Sequence, residues 1–247
     1  MADKPLISVI TVTLNSEKTV AKAIESVLGQ TYPSVEYIII DGGSSDSTVQ
    51  IAEDYRERFS AKGYKFHIVS ETDKGMYDAL NKGVAMATGD VIGQINSDDW
   101  YEPEALETVA SKFMEDPFDL FWADLRIIKN SGEMIKKARI RNFVSTKDWN
   151  HPTTFIRAEV YKANPYSLIS MYDDFELILR LRKKGVKMCV ENKVLANFVF
   201  GGMSTRKDLK DTIRRIKLSC NNYKINGYGL LYYIDRIMVE TAKFILG

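Results

Sequence analysis

Four times in the first hundred residues a short, nearly continuous apolar run gives way to a segment of helical period, and this alternation limits the fold more than any other feature. The runs are residues 6–14, 35–40, 66–70 and 91–95. Apolar character on both sides of a strand is what a parallel strand covered on both faces needs. After the first run, Asn15 or Ser16 is placed to cap a helix in which Val20, Ala23, Ile24, Val27 and Leu28 recur at helical spacing, with Glu17 in its first turn. Residues 47–59 and 76–87 read as the second and third helices, and Pro103 marks the first turn of a fourth. Such a rhythm implies an α/β fold, a mostly parallel twisted sheet between helices, with ligands bound beyond the carboxyl ends of the strands.

Beyond Pro117 the rhythm changes to α+β. Residues 120–128 and 133–140 flank Lys129-Asn130-Ser131-Gly132 as a hairpin, Asp173 or Asp174 can cap a helix over 175–184, and 187–190 and 195–200 are short strands. Residues 205–247 form a helical extension with nine Lys or Arg against four acids, so the chain divides into a domain over 1–204 and a basic tail. In the tail Leu231, Ile234, Met238, Ala242 and Ile245 make one stripe, with Asp235, Arg236, Glu240 and Lys243 away from it. That stripe either packs on its own domain or rests on an anionic membrane surface.

Composition narrows the function classes. A net charge of +1 over 247 residues gives no overall case for nucleic acid, and two distant cysteines suggest neither a disulfide framework nor a zinc site. No apolar run is long enough to span a bilayer, so a cytoplasmic protein, soluble or peripheral on the inner membrane face, is expected. G-x-G-x-x-G is missing after the first strand and G-x-x-x-x-G-K-[ST] from the whole chain, which disfavours familiar dehydrogenases and P-loop enzymes. His67 and His151 are the only histidines; His151, before Pro152, is as readily a core or loop residue as a substrate contact.

Aspartates mark the strand ends: Asp41 after the second, Asp73 past the third, Asp98 and Asp99 after the fourth. Two adjacent carboxylates repel unless a cation intervenes, and Mg²⁺ or Mn²⁺ with a diphosphate answers that need. The alternative is a turn that caps the next helix. Lys74 and Lys82 can offset diphosphate charge, and Asp41 with Gly42 and Gly43 is either a plain turn or a carboxylate that meets a base or ribose.

Together these residues resemble a family. Residues 8–15 (SVITVTLN), 27–32 (VLGQTY) with 36–48 (EYIIIDGGSSDST), 71–83 (ETDKGMYDALNKG) and 96–99 (NSDD) are similar to the motifs of family 2 glycosyltransferases of the surface-polysaccharide type. The resemblance implies a GT-A fold, Rossmann-like, and a metal-dependent hexosyltransferase. It places Thr11, Thr13, Asn15, Asp41, Asp73, Lys74, Gly75, Asp78, Lys82, Asn96 and Asp98 around the nucleotide sugar, with Asp98 and Asp99 at the metal. Asn96 departs from the aspartate many members have there. Residues 171–177 (MYDDFEL) resemble the acidic motif that holds the catalytic base, matched by Asp174, and residues 200–204 (FGGMS) lack the metal-ligating histidine of some members. The implied reaction is inverting transfer from a nucleoside diphosphate sugar, UDP-linked, to a hydroxyl of a saccharide or polyprenyl-linked acceptor. A sugar nucleotidyltransferase and a non-catalytic nucleotide-sugar binding module are the competing readings.

Overall fold

The computed structural model describes residues 4–200 and 209–246, with side chains for all of these except Lys243, Ile245 and Leu246. Among the described residues, nine strands form one mixed sheet. Its first half is built from β1 (Ile7–Thr13), β2 (Val35–Asp41), β3 (Lys65–Ser70) and β4 (Val91–Gln94), in the order β3-β2-β1-β4 and parallel throughout. Helices α1 (Val20–Leu28), α2 (Thr48–Glu53), α3 (Arg56–Ala61) and α4 (Met76–Met86) connect these strands.

Alternation along the strands explains the two layers of core. Val9, Tyr37 and Ile39 point to the layer that holds Val20, Ile24 and Val27 of α1 and Phe59 of α3. Ile10, Ile38 and Ile40 point to the other, with Leu80 and Val84 of α4. Both faces are therefore buried, which is why these strands lack polar alternation.

The second half continues the sheet as β8 (Phe155–Arg157), β6 (Leu120–Lys129), β9 (Met188–Val199) and β5 (Trp100–Tyr101), with β7 (Gly132–Lys136) on the flank of β6. Here β8 runs antiparallel to both β4 and β6, and β6 and β7 make the expected hairpin. Helices α5 (Ala105–Glu115), α6 (Ala158–Lys162) and α7 (Asp173–Lys183) complete this half, and α8 (Leu209–Ile225) and α9 (Leu230–Leu246) follow as a helical hairpin. The expected boundary at 204/205 and residues 201–204 lie outside the described residues.

Several sequence expectations need correction. The single helix over 47–59 is two short ones, because the chain turns at Asp54 and Tyr55. Neither Asn15 nor Ser16 caps α1: Asn15 takes φ 50 and its side chain serves the neighbouring loop, while the helix starts after Thr19. Glu17 thus lies before the helix and accepts from the Ser47 N–H at 3.1 Å. The two strands expected over 187–200 are one, and the polar residues between them fill a bulge against β6, where Ala123 pairs Glu191 but Asp124 pairs Val194. Asn192 in that bulge donates to Asp124 at 3.1 Å.

Candidate active site at the strand ends

Parallel order puts the ends of β1, β2 and β4 side by side, with Thr13 paired to Asp41 and Ile10 to Gln94. The loops that follow them are tied together. Asn15 accepts from the Ser45 N–H at 2.9 Å and donates its own N–H to the Ser44 hydroxyl at 2.8 Å, which clasps the first loop to the second. Ser97 then donates to Ser16 at 3.0 Å and joins the Asn96–Asp99 turn to the same rim.

Asp41 lies under this rim, 1% exposed. Its carboxylate accepts from Thr13 Oγ1 at 2.8 Å, Ser70 Oγ at 2.7 Å, the Gly43 and Ser44 N–H groups at 3.1 and 2.8 Å, and the Ser44 hydroxyl. Burial pushes its pKa up, but these donors outweigh burial and hold the carboxyl below its ordinary value. A carboxylate with about four lone-pair sites is saturated by such a set. Asp41 therefore organises its turn from within, which supports the plain-turn reading the sequence offered beside that of a carboxylate meeting a base or ribose. Thr11 is likewise internal: it is fully buried, and its hydroxyl accepts from Tyr37 Oη at 2.9 Å.

Next along the rim, Asp73 accepts from the Gly75 N–H at 2.7 Å, and Asp78 accepts from the Lys74 N–H at 3.0 Å. Gly75 has φ 114, a conformation that favours glycine. A Cβ on Gly42 would come within 2.6 Å of the Asp73 carboxylate, so the glycine lets the two loops close on each other. Lys82 pairs with Glu71 at 2.8 Å and donates to the Thr72 carbonyl at 3.2 Å, whereas the Lys74 residue is exposed.

The paired acids are not equivalent. Asp98 is exposed; Asp99 is fully buried, and accepts from Asn96 Nδ2 at 3.0 Å and the Val199 N–H at 3.3 Å. Burial and the charge of Asp98 push the Asp99 pKa up to about 7, against smaller opposing effects of Asn96, the Val199 N–H and His151. Among the described residues the pair is thus short of positive charge.

Asp174 sits in the first turn of α7 with its side chain 20% exposed, 3.2 Å from His151 Nδ1. Its other oxygen accepts from the Phe175 N–H at 2.7 Å. Neither Asp173 nor Asp174 is the helix cap. Tyr172 holds that position, and Asp173, fully buried, accepts instead from the Ile169 and Ser170 N–H groups at 2.7 and 2.8 Å. Of the two acids, only Asp174 is left facing the rim.

His151 is the residue sequence reasoning did not assign. It lies in a short 3₁₀ turn (His151–Thr153) beside β4, with Nδ1 3.3 Å from Gln94 Nε2 and 3.2 Å from Asp174, and it also favours the ionised form of Asp99. Gln94 Oε1 accepts from Tyr161 and Tyr166, both at 2.9 Å, which fixes the amide that meets the histidine. The imidazole thus joins the end of β4, which leads into the Asp98–Asp99 turn, to the Asp174 helix, far apart in sequence. A histidine before proline carried no pattern that pointed there.

Comparison with known proteins agrees with this architecture. The model of the family described as Glycosyl transferase family 2 matches residues 8–177. A chondroitin synthase of Escherichia coli is 26% identical over 237 residues, covering 93% of this chain and 34% of that protein. A PGL/p-HBAD biosynthesis glycosyltransferase of Mycobacterium bovis is 28% identical over 221 residues, 87% of this chain and 85% of that one. The chain therefore spans about a third of one relative and most of the other. Among solved structures, S. aureus TarS 1-349 in complex with UDP-GlcNAc superposes with TM-score 0.67 at 18% identity, covering 97% of this chain and 71% of TarS 1-349. The mannosyltransferase PcManGT of Pyrobaculum calidifontis, in complex with GDP-Man and Mn2+, gives 0.67 at 15%, covering 98% of this chain and 70% of that one. These likenesses show the GT-A fold.

Proposed function

Because the chain belongs to glycosyl transferase family 2, we propose that it is an inverting, divalent-metal-dependent glycosyltransferase that uses a nucleoside diphosphate sugar, UDP-linked. The acceptor is a hydroxyl of a saccharide or polyprenyl-linked saccharide in cell-surface polysaccharide synthesis. The observation that carries this reading is the 3.2 Å contact of Asp174 with His151, which itself meets Gln94 at 3.3 Å, because it ties the α7 carboxylate to the end of the strand that leads into Asp98 and Asp99.

Asp174 takes the proton from the acceptor hydroxyl, whose oxygen attacks the anomeric carbon as the bond to the diphosphate oxygen breaks. Inversion follows from that single displacement. General base catalysis contributes roughly 10² to 10⁴-fold, and orientation by the rim contributes further. His151 keeps Asp174 aimed at the rim.

The donor set suits a hard divalent ion. Among the described residues no three His, Cys, Asp or Glu side chains form a closed metal cluster. Mg²⁺ and Mn²⁺ that take one or two carboxylates and complete their shell with phosphate oxygens and water do not need one. Asp98 is the open ligand; Asp99, with its raised pKa, supports it from beneath. When bound, the ion would stabilise charge on the leaving diphosphate. A nucleoside reaching Asp41 would have to displace one of its present donors, so Thr13, Asn15 and the Gly42–Ser45 backbone are the nearer partners for the base and ribose.

Acceptor-dependent release of the nucleoside diphosphate tests the proposal. Asp174→Asn should remove that release and keep donor binding. Release of pyrophosphate in its place would make the protein a nucleotidyltransferase, and retained turnover in Asp174→Asn would contradict the assignment of the base.

A further inference from the structure

Helix α9 is turned inside out. Its apolar positions Leu230, Leu231, Ile234, Ile237, Met238 and Phe244 are exposed, Leu231 by 72% and Met238 by 66%, while Arg236 and Glu240 are buried. The inward charges are matched: Glu240 pairs with Arg236 and with Arg215 of α8 at 3.0 Å, Arg236 donates to Thr146 at 2.8 Å, and Asp235 lies 3.7 Å from Lys147. The stripe noted in the sequence is therefore real but faces away from the domain, and the polar face that seemed bound for solvent anchors the helix. For Ile245 and Lys243 the side chains lie outside the described residues.

The other arm of the hairpin, α8, likewise exposes Leu209, Ile213 and Ile225, interleaved with Lys210, Arg214, Lys217 and Lys224. Across the described parts of both helices, the exposed charged residues are all cations; Asp211, Asp235 and Glu240 are at most partly exposed. Lys210, Arg214 and Lys217 also line an open concavity floored by Ile213 and Leu218.

We propose that the α8–α9 hairpin is a docking surface for an anionic membrane, lying in the interface with its apolar face among the acyl chains and its cations at the lipid phosphates. Charge decides the occupant. In a symmetric dimer through this face the same four cations would meet their copies, which like-charge repulsion opposes. Nucleic acid would satisfy the cations but leave the apolar side chains wet. An anionic bilayer satisfies both, as amphipathic interfacial helices do. No described helix is long and apolar enough to cross a membrane, so the contact is peripheral. The hairpin is fixed close to the candidate base: Asn222 of α8 donates at 2.8 Å to the carbonyl of Tyr172, the residue before α7.

The test is sedimentation of the purified full chain with vesicles of phosphatidylcholine alone or mixed with phosphatidylglycerol. Neither donor nor acceptor is present, so the result is independent of the transferase reading. The protein should pellet with the anionic vesicles and largely lose binding to them in high salt. Leu231→Glu/Met238→Glu should lower partitioning at least tenfold with helix content and Tm unchanged, since both positions are exposed. Arg214→Glu/Lys217→Glu should lower it by about fivefold for each charge removed. Failure to pellet, or pelleting unchanged in both variants, overturns the proposal. So does a stable dimer that Leu231→Glu dissociates, because a second copy would then be the occupant.

Discussion

Two kinds of aspartate share the rim. Asp41 and Asp173 are buried and spent: N–H groups and hydroxyls fill the oxygens of Asp41, and each oxygen of Asp173 takes one short backbone N–H bond, at 2.7 and 2.8 Å. Asp99, equally buried, accepts among the described residues from Asn96 and Val199 at 3.0 and 3.3 Å and has the like charge of Asp98 beside it, so burial and that charge raise its pKa to about 7. Asp174 meets His151, accepts from the Phe175 N–H and stays partly open. The same side chain thus serves as scaffold where the protein supplies its donors and as working group where it does not. In the proposed mechanism the unmet need marks where a cation or an acceptor proton would enter.

That contrast can be broken one acid at a time. The largest effect is expected for Asp174→Asn, which should cut turnover roughly 10² to 10⁴-fold with little change in Tm, read as acceptor-dependent diphosphate release. Its neighbour should behave in the opposite sense. Asp173→Ala removes the acceptor of the part-buried Ile169 and Ser170 N–H groups and should cost about 1–3 kcal/mol of stability by denaturant unfolding, as should Asp41→Ala. If either left stability unchanged, the division into spent and working acids would fail.

Asp98→Ala should weaken donor binding in Mn²⁺ by about tenfold, or 1.4 kcal/mol, in calorimetric titration, and the difference should vanish in EDTA. The smallest expected effect is a slope with pH. Asp99 has a folded pKa above its unfolded one, so between about pH 4 and 7 the folded state holds the extra proton and stability falls as pH rises, by about 1.4 kcal/mol per unit at most. Urea unfolding in EDTA should show this slope, and Asp99→Asn should flatten it; a mutant slope equal to wild type would place the proton elsewhere.

The parallel half was legible because its strands are buried on both faces and read as unbroken apolar runs ending in aspartate. β5 and β8, two and three residues long, are too short to carry a period. The bulge in β9 looked like a loop because its polar residues answer a partner, Asp124, that only the fold supplies. In α9 periodicity found the stripe but could not tell inside from outside, since the inward charges are matched by residues from α8 and the 146–147 loop. For the site, spacing identified the acids but not which were already satisfied, and it gave no sign that His151 joins them.

The central claim is that Asp98, over a charge-starved Asp99, holds a divalent ion against a donor diphosphate on the rim shared with Asp174. Anomalous scattering from crystals grown with Mn²⁺ and a UDP-sugar tests it most directly. A manganese peak bridging the Asp98 carboxylate and the diphosphate oxygens is the predicted result. A diphosphate bound with its manganese away from Asp98, or bound on another surface altogether, would contradict it.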